Sequence, residues 1–108
     1  MDEVKILLVD DEALVLRSME KTLLRAGFDV LTAGDINQGL GLFEENLGAA
    51  DGGFDIAILD LNMPDWDGQE DADAGLKLLS KLVAMDPELP VIILTAFDEV
   101  SRAKEAVR

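Results

Sequence analysis

With 108 residues and no cysteine, the chain is long enough for one hydrophobic core and too short for two, and it has neither a disulfide framework nor a thiolate metal site. Its formal net charge of -14, from 23 acidic and 9 basic residues with no basic stripe, argues against direct DNA or RNA binding, which draws most of its affinity from phosphate neutralisation. Apolar residues make up 49% of the chain, yet no uninterrupted apolar run approaches the ~18 residues of a membrane span, and Met1-Asp2-Glu3 lacks a signal peptide's basic start; the expectation is a soluble, cytoplasmic domain.

Residues 4–9 read as a first strand and 14–26 as a helix in which Leu16, Met19, Leu23 and Ala26 recur every three or four residues. Gly27 is placed to cap it. Residues 28–33 alternate as a second strand, less uniformly apolar and so nearer the sheet's edge. Ile36, Leu40, Phe43 and Leu47 mark a second amphipathic helix, weakened by Gly39 and Gly41 by up to about 1 kcal/mol each relative to alanine. Residues 48–53 are a flexible link. Ile56-Ala57-Ile58-Leu59 is a short apolar run bounded by polar residues, as in a strand buried on both faces, and Asp60 ends it. Pro64 and Asp65-Trp66-Asp67-Gly68 forbid simple continuation, and residues 65–75 read as an acidic loop. Leu76, Leu79, Leu82 and Val83 carry a third helix, broken at Asp86-Pro87-Glu88-Leu89-Pro90. Residues 91–95 are a further buried strand, and 100–108 open a fourth helix with Ala103 and Ala106 or Val107 inward. Strand and helix alternate without repeats, which predicts βα units around a parallel sheet.

Three of these strands run into polar residues: the first into Asp10, Asp11 and Glu12, the central one into Asp60, the last into Thr95. In open parallel sheets the carboxyl edge is where ligands bind, so three carboxylates and a hydroxyl are expected to meet there. Like charges in a partly desolvated pocket oppose one another's ionisation, and a hard divalent cation removes that penalty. Magnesium suits an all-oxygen set that leaves room for water and a substrate phosphate, whereas zinc is disfavoured without His or Cys. Asp60 could then act as a nucleophile that forms an aspartyl phosphate, with Thr95 donating a hydrogen bond to a phosphoryl oxygen. Each residue also has a plain structural explanation, since an Asp after a strand commonly forms a turn or an N-cap and a Thr is an ordinary strand residue. Asp10, Asp11 and Asp60 together on two βα units are harder to explain that way.

Ile6-Leu7-Leu8-Val9-Asp10-Asp11-Glu12, Asp60-Leu61-Asn62-Met63-Pro64 and Ile93-Leu94-Thr95-Ala96 together resemble the receiver domain of bacterial two-component response regulators, in order and at similar spacing from residue 4 to 108. The resemblance implies an α/β, flavodoxin-like (CheY-like) three-layer sandwich with a parallel sheet ordered 2-1-3-4. It also implies that Asp60 is the phosphoacceptor, Asp11 a direct magnesium ligand, Asp10 a ligand largely through water, and Asn62 a ligand through its backbone carbonyl; manganese is an alternative metal. Thr95 would bind the phosphoryl group and Ala96 leave room for it, while Asn62 and Phe97 would control water access, the bulk of Phe97 slowing hydrolysis. The implied donor is a sensor histidine kinase or phosphotransfer protein, and phosphorylation would switch a face that binds a partner or dimerises. No enzymatic role is expected beyond the domain's own phosphorylation and dephosphorylation.

Two departures stand out. The family pattern continues to a fifth strand, with an aromatic switch residue and a Lys before Pro, and to a fifth helix; the chain carries neither, and helical Lys104 is a poor substitute. The expectation is therefore a receiver domain over residues 1–108, C-terminally incomplete, whose residues 91–94 offer an apolar edge for homodimerisation or edge-strand association. The second departure is an acidic insertion at residues 69–75, between Gly68 and the third helix, read either as an indifferent solvated loop or as a gate or kinase-specificity element. Rival readings are weaker. A phosphorylation-independent binding module leaves the acidic set and Thr95 unused, although the missing Lys favours it; an aspartate-nucleophile phosphatase needs an acid where Asn62 stands. A calcium loop would make Met63 its first ligand, and a dinucleotide site lacks the glycine-rich turn after the first strand.

Overall fold

The structure, a computed structural model, describes residues 3–48 and 53–94. Within them run β1 (Lys5–Val9), α1 (Ala13–Arg25), β2 (Asp29–Ala33), α2 (Ile36–Leu47), β3 (Ile56–Asp60), β4 (Met63–Pro64), β5 (Glu70–Asp71), α3 (Ala74–Met85) and β6 (Val91–Leu94). The main sheet is parallel throughout and ordered β2-β1-β3-β6. That is the expected order, with β6 in fourth place because β4 and β5 form a separate antiparallel pair. The half-buried second strand does lie at an edge.

Alternation along the strands divides the core in two. Leu7, Val9, Ala57 and Leu59 point to one face, where Ile36 and Phe43 of α2 and Leu78 and Leu82 of α3 cover them. Ile6, Leu8 and Ile58 point to the other, beneath Leu16, Met19 and Leu23 of α1. With both faces covered, all five residues of β1 are buried, which is why Ile6 to Val9 read as a continuous apolar run after Lys5. At the amino edge of the sheet, the Lys5 N–H donates to Asp55 Oδ2 (2.8 Å) and the Asp55 N–H to the Lys5 carbonyl (2.8 Å), tying the starts of β1 and β3 together.

Local chemistry sets the helix limits. Gly27 takes φ 97°, a left-handed conformation that costs glycine little, and stops α1 where expected. Asp35 opens α2 by accepting the Gln38 N–H at 2.7 Å, an N-cap that satisfies one of the first turn's unpaired donors. Gly39 lets α2 lie close to the sheet, since a Cβ there would come within 2.9 Å of Val9 Cγ2 and 3.2 Å of Leu78 Cδ2.

Some expected inward residues face outward. Ala26 is exposed, Leu47 is 45% exposed at the last turn of α2, and Leu76 is 44% exposed. The buried stripe of α3 is Ala74, Gly75, Leu78 and Leu82, and Leu76 lies two positions, about 200°, around the helix from Ala74. In β6, Ile92 is 49% exposed, so the strand is half-buried among the described residues. Residues 49–52 of the expected link, Thr95 and the expected fourth helix lie outside the described residues.

Candidate functional site

Register brings the acidic residues level. Val9 of β1 pairs with Leu59 of β3, so the next residue in each chain segment, Asp10 and Asp60, emerges side by side at the carboxyl edge. Asp10, Asp11 and Asp60 each place a carboxylate oxygen within 4.8 Å of the others. The cluster expected from the sequence is therefore assembled by two adjacent strands. Asp10 is 5% exposed and held in place by its own backbone: its N–H donates to the Ala33 carbonyl (3.1 Å), and its Oδ1 accepts the Glu12 N–H (2.9 Å). Asp60 is half-buried and Asp11 exposed.

Electrostatics within the cluster oppose ionisation. Burial pushes the Asp60 carboxyl up to about 6 from an ordinary 3.8; the charges of Asp10 and Asp11 add to the rise, and the backbone N–H groups of Asn62 and Leu61 partly offset it. Asp10 is likewise raised, first by burial and then by Asp11 and Glu12, against the Glu12 hydrogen bond. Three oxygen donors that repel one another in a semi-enclosed position are a donor set suited to a hard divalent cation. The Asn62 side chain is exposed beside them. Thr95, Ala96, Phe97 and Lys104 lie outside the described residues.

The segment that follows Asp60 is more ordered than a solvated acidic loop. Met63 pairs with Asp71 and Pro64 with Glu70, making a short antiparallel hairpin. Its turn is closed by the Asp65 N–H donating to the Gln69 carbonyl (2.7 Å), while Asp65 Oδ1 accepts the Asp67 and Gln69 N–H groups (2.9 and 3.0 Å). Gly68, at φ 84°, completes it. Asn37 Nδ2 donates to the Trp66 carbonyl (3.0 Å) from the first turn of α2, Trp66 packs against the α2–α3 side of the core, and Lys77 pairs with Asp71 at 2.5 Å. The hairpin thus leans on the α2–α3 side of the edge.

One residue of the site escaped the sequence reading. The expected insertion began after Gly68, yet a Cβ on Gly68 would meet nothing within 4 Å, whereas one on Gly75 would fall 2.3 Å from the Asp60 carbonyl oxygen and 2.9 Å from Leu61 Cα. Gly75 is thus the glycine packed against the central strand. The available signal was a glycine at the start of a helical pattern, where only a close approach of backbones rewards the loss of a side chain.

Comparison with known proteins agrees with this geometry. The family model described as "Response regulator receiver domain" matches residues 6–108. Two-component response regulator ARR11 of Arabidopsis thaliana is 36% identical over 104 residues, and the C4-dicarboxylate transport transcriptional regulatory protein DctD of Rhizobium meliloti is 32% identical over 104. These alignments cover 96% and 95% of this chain but 18% and 20% of the relatives, so the chain spans about a fifth of their length. Among solved structures, a response regulator receiver domain protein from Clostridium thermocellum superposes with TM-score 0.74 at 32% identity, covering 96% of this chain and 74% of that one. A chain from the structure of histidine kinase ThkA in complex with response regulator protein TrrA gives TM-score 0.67 at 28% identity, covering 87% and 70%. The fold is accordingly CheY-like, of the flavodoxin-like class. With an acidic cluster of the kind that binds magnesium in such domains at the carboxyl edge of its parallel sheet, this chain belongs to the response regulator receiver domain family, whose members act in two-component signal transduction.

Proposed function

We propose that the chain accepts a phosphoryl group on Asp60 from a sensor histidine kinase or phosphotransfer protein and signals by switching a partner-binding or dimerisation face. The observation that carries this reading is the meeting of Asp10, Asp11 and Asp60 within 4.8 Å at the carboxyl edge, with the Asp60 carboxyl raised to about 6. Asp10, Asp11, Asp60 and the Asn62 backbone carbonyl would hold magnesium or manganese, which when bound supplies the positive charge that lets an ionised carboxylate face a phosphoryl group.

Asp60 contributes the nucleophile. One carboxylate oxygen forms a bond to phosphorus as the bond from phosphorus to the donor's imidazole nitrogen breaks; that nitrogen keeps the electron pair. The backbone N–H groups of Asn62 and Leu61 favour the ionised form of this carboxylate, and the ladder in which the Leu61 N–H donates to the Leu94 carbonyl (3.1 Å) holds its backbone for in-line attack. Thr95 and Ala96 are assigned to the phosphoryl oxygens, and Asn62 and Phe97 to water access during hydrolysis of the aspartyl phosphate. The domain is a signalling device that turns over only its own phosphoryl group, in the cytoplasm, without contacting nucleic acid or membrane; no helix among the described residues is long and apolar enough to cross a membrane. A kinase partner is supported by the similarity to a chain from a histidine kinase–response regulator complex.

The test is intact mass after incubation with acetyl phosphate and magnesium, on the chain and on Asp60→Asn. A single phosphoryl adduct that disappears in the variant is the expected result. A chain that binds magnesium and takes no adduct would instead be a phosphorylation-independent binding module.

A further inference from the structure

We infer that Gly75 is a positioning residue for phosphoryl acceptance, setting the orientation of the peptide that leaves the Asp60 Cα, from which the acceptor carboxylate projects. The inference rests on the reading of Asp60 as acceptor. Gly75 occupies the second position of α3 and is buried, and its N–H donates to the Leu61 carbonyl at 3.0 Å. A Cβ added there would lie 2.3 Å from the Asp60 carbonyl oxygen, 3.0 Å from the Asp60 carbonyl carbon and 2.9 Å from Leu61 Cα. Every one of those atoms is backbone, so no side chain can swing aside to relieve the contact.

The atoms that Gly75 faces belong to the peptide joining Asp60 to Leu61. That unit is planar, so its carbonyl oxygen and its N–H move together as one rigid plate. The Leu61 N–H on this plate donates to the Leu94 carbonyl at 3.1 Å, and the Asp60 Cα is one of its corners. Pressing on the oxygen from α3 therefore turns the plate against that bond and shifts the Asp60 Cα, and with it the acceptor carboxylate. A misplacement of about 1 Å in a reacting group can cost on the order of a hundredfold in rate. The φ of Gly75 is not in the left-handed region, so the requirement for glycine here is proximity to the acceptor's peptide and not an unusual conformation.

Phosphorylation by acetyl phosphate with magnesium, followed by intact mass against time over a range of donor concentrations, tests this in the wild-type chain, Gly75→Ala and Gly41→Ala. Gly41 is a fair control because a Cβ there meets nothing within 4 Å. We expect Gly75→Ala to lose at least about tenfold in the saturating rate with the half-saturating donor concentration unchanged, and Gly41→Ala to match the wild type. Wild-type rates in a folded Gly75→Ala would overturn the positioning role, as would a loss seen only in the half-saturating concentration. Should Gly75→Ala fail to fold, amide hydrogen exchange on the wild-type chain decides. Protection of the Gly75 N–H should rise at least tenfold on adding magnesium and beryllofluoride, a phosphoryl mimic, while that of the Gly39 N–H, bonded to the Asp35 carbonyl, stays constant. No rise at Gly75 overturns the inference. A wild-type chain that takes neither acetyl phosphate's phosphoryl group nor beryllofluoride would remove the acceptor reading, and this one with it.

Discussion

At Asp60, burial and the two neighbouring carboxylates act in the same direction, and the consequence is a stability that depends on pH. The unfolded carboxyl titrates near 3.8 and the folded one near 6, so between those values the folded chain holds the proton more tightly. Stability of the metal-free protein therefore falls as pH rises from about 4 through about 6, and the loss is complete above that window. Asp10, also raised, contributes with the same sign. Urea denaturation at pH 5 and pH 7 should show this fall in the wild type and a shallower one in Asp60→Asn, which should be more stable at pH 7 by about 1 kcal/mol once solvent screening is allowed for. Magnesium at pH 7 should stabilise the wild type and leave Asp60→Asn nearly unaffected. An equal pH dependence in both proteins would show that Asp60 is not the strained group. The three carboxylates were legible in the sequence because they follow the ends of two apolar runs, where a charge has no reason to sit unless it reaches solvent or a ligand. Gly75 was not, because its necessity comes from an atom fourteen or fifteen residues away in the chain and no local pattern encodes that distance.

Among the elements, α2 shows how the same residue type can have opposite consequences two positions apart. Gly39 faces Val9 and Leu78, while Gly41 faces open space. Alanine at Gly41 should stabilise by about 1 kcal/mol, the usual helix propensity difference. At Gly39 the same gain is opposed by overpacking against the stiff Val9 side chain, a cost of about 1–3 kcal/mol, so the net effect should be destabilising. Thermal denaturation of the two single variants checks the opposite signs. The sequence reading treated both glycines as equal helix weakeners, since propensity is local and the neighbour across the sheet is not. The same limit explains Leu76: periodicity located α3, but its phase was set by Ala74 and Gly75 seating against β3, which turns Leu76 outward. The hairpin of β4 and β5 was missed for a related reason. Two-residue strands are too short to show alternation, and only the Asp65 carboxylate and Gly68 signal the turn between them.

For the whole molecule, the two sides of the sheet are unequally built. α2 and α3 contribute fully buried side chains to the larger cluster, whereas α1 has no buried residue among those described and packs through half-buried Leu16, Met19 and Leu23. Leu14, 82% exposed, stands on α1 next to the acidic edge. Free energy of local opening follows buried contact, so amide exchange should release α1 before α2, α3 or β1. Equal protection in all three helices would count against that asymmetry. The hairpin, by contrast, leaves the sheet at Leu61 and returns to it through the Gly75 N–H bonded to the Leu61 carbonyl. Its two ends are thus fastened at one point, and added length between them costs only the slow growth of loop-closure entropy. For protein engineering this makes the exposed Asp67-Gly68 tip a splice point, where an epitope, a protease site or a reporter domain can be carried on the receiver without shifting its acidic edge.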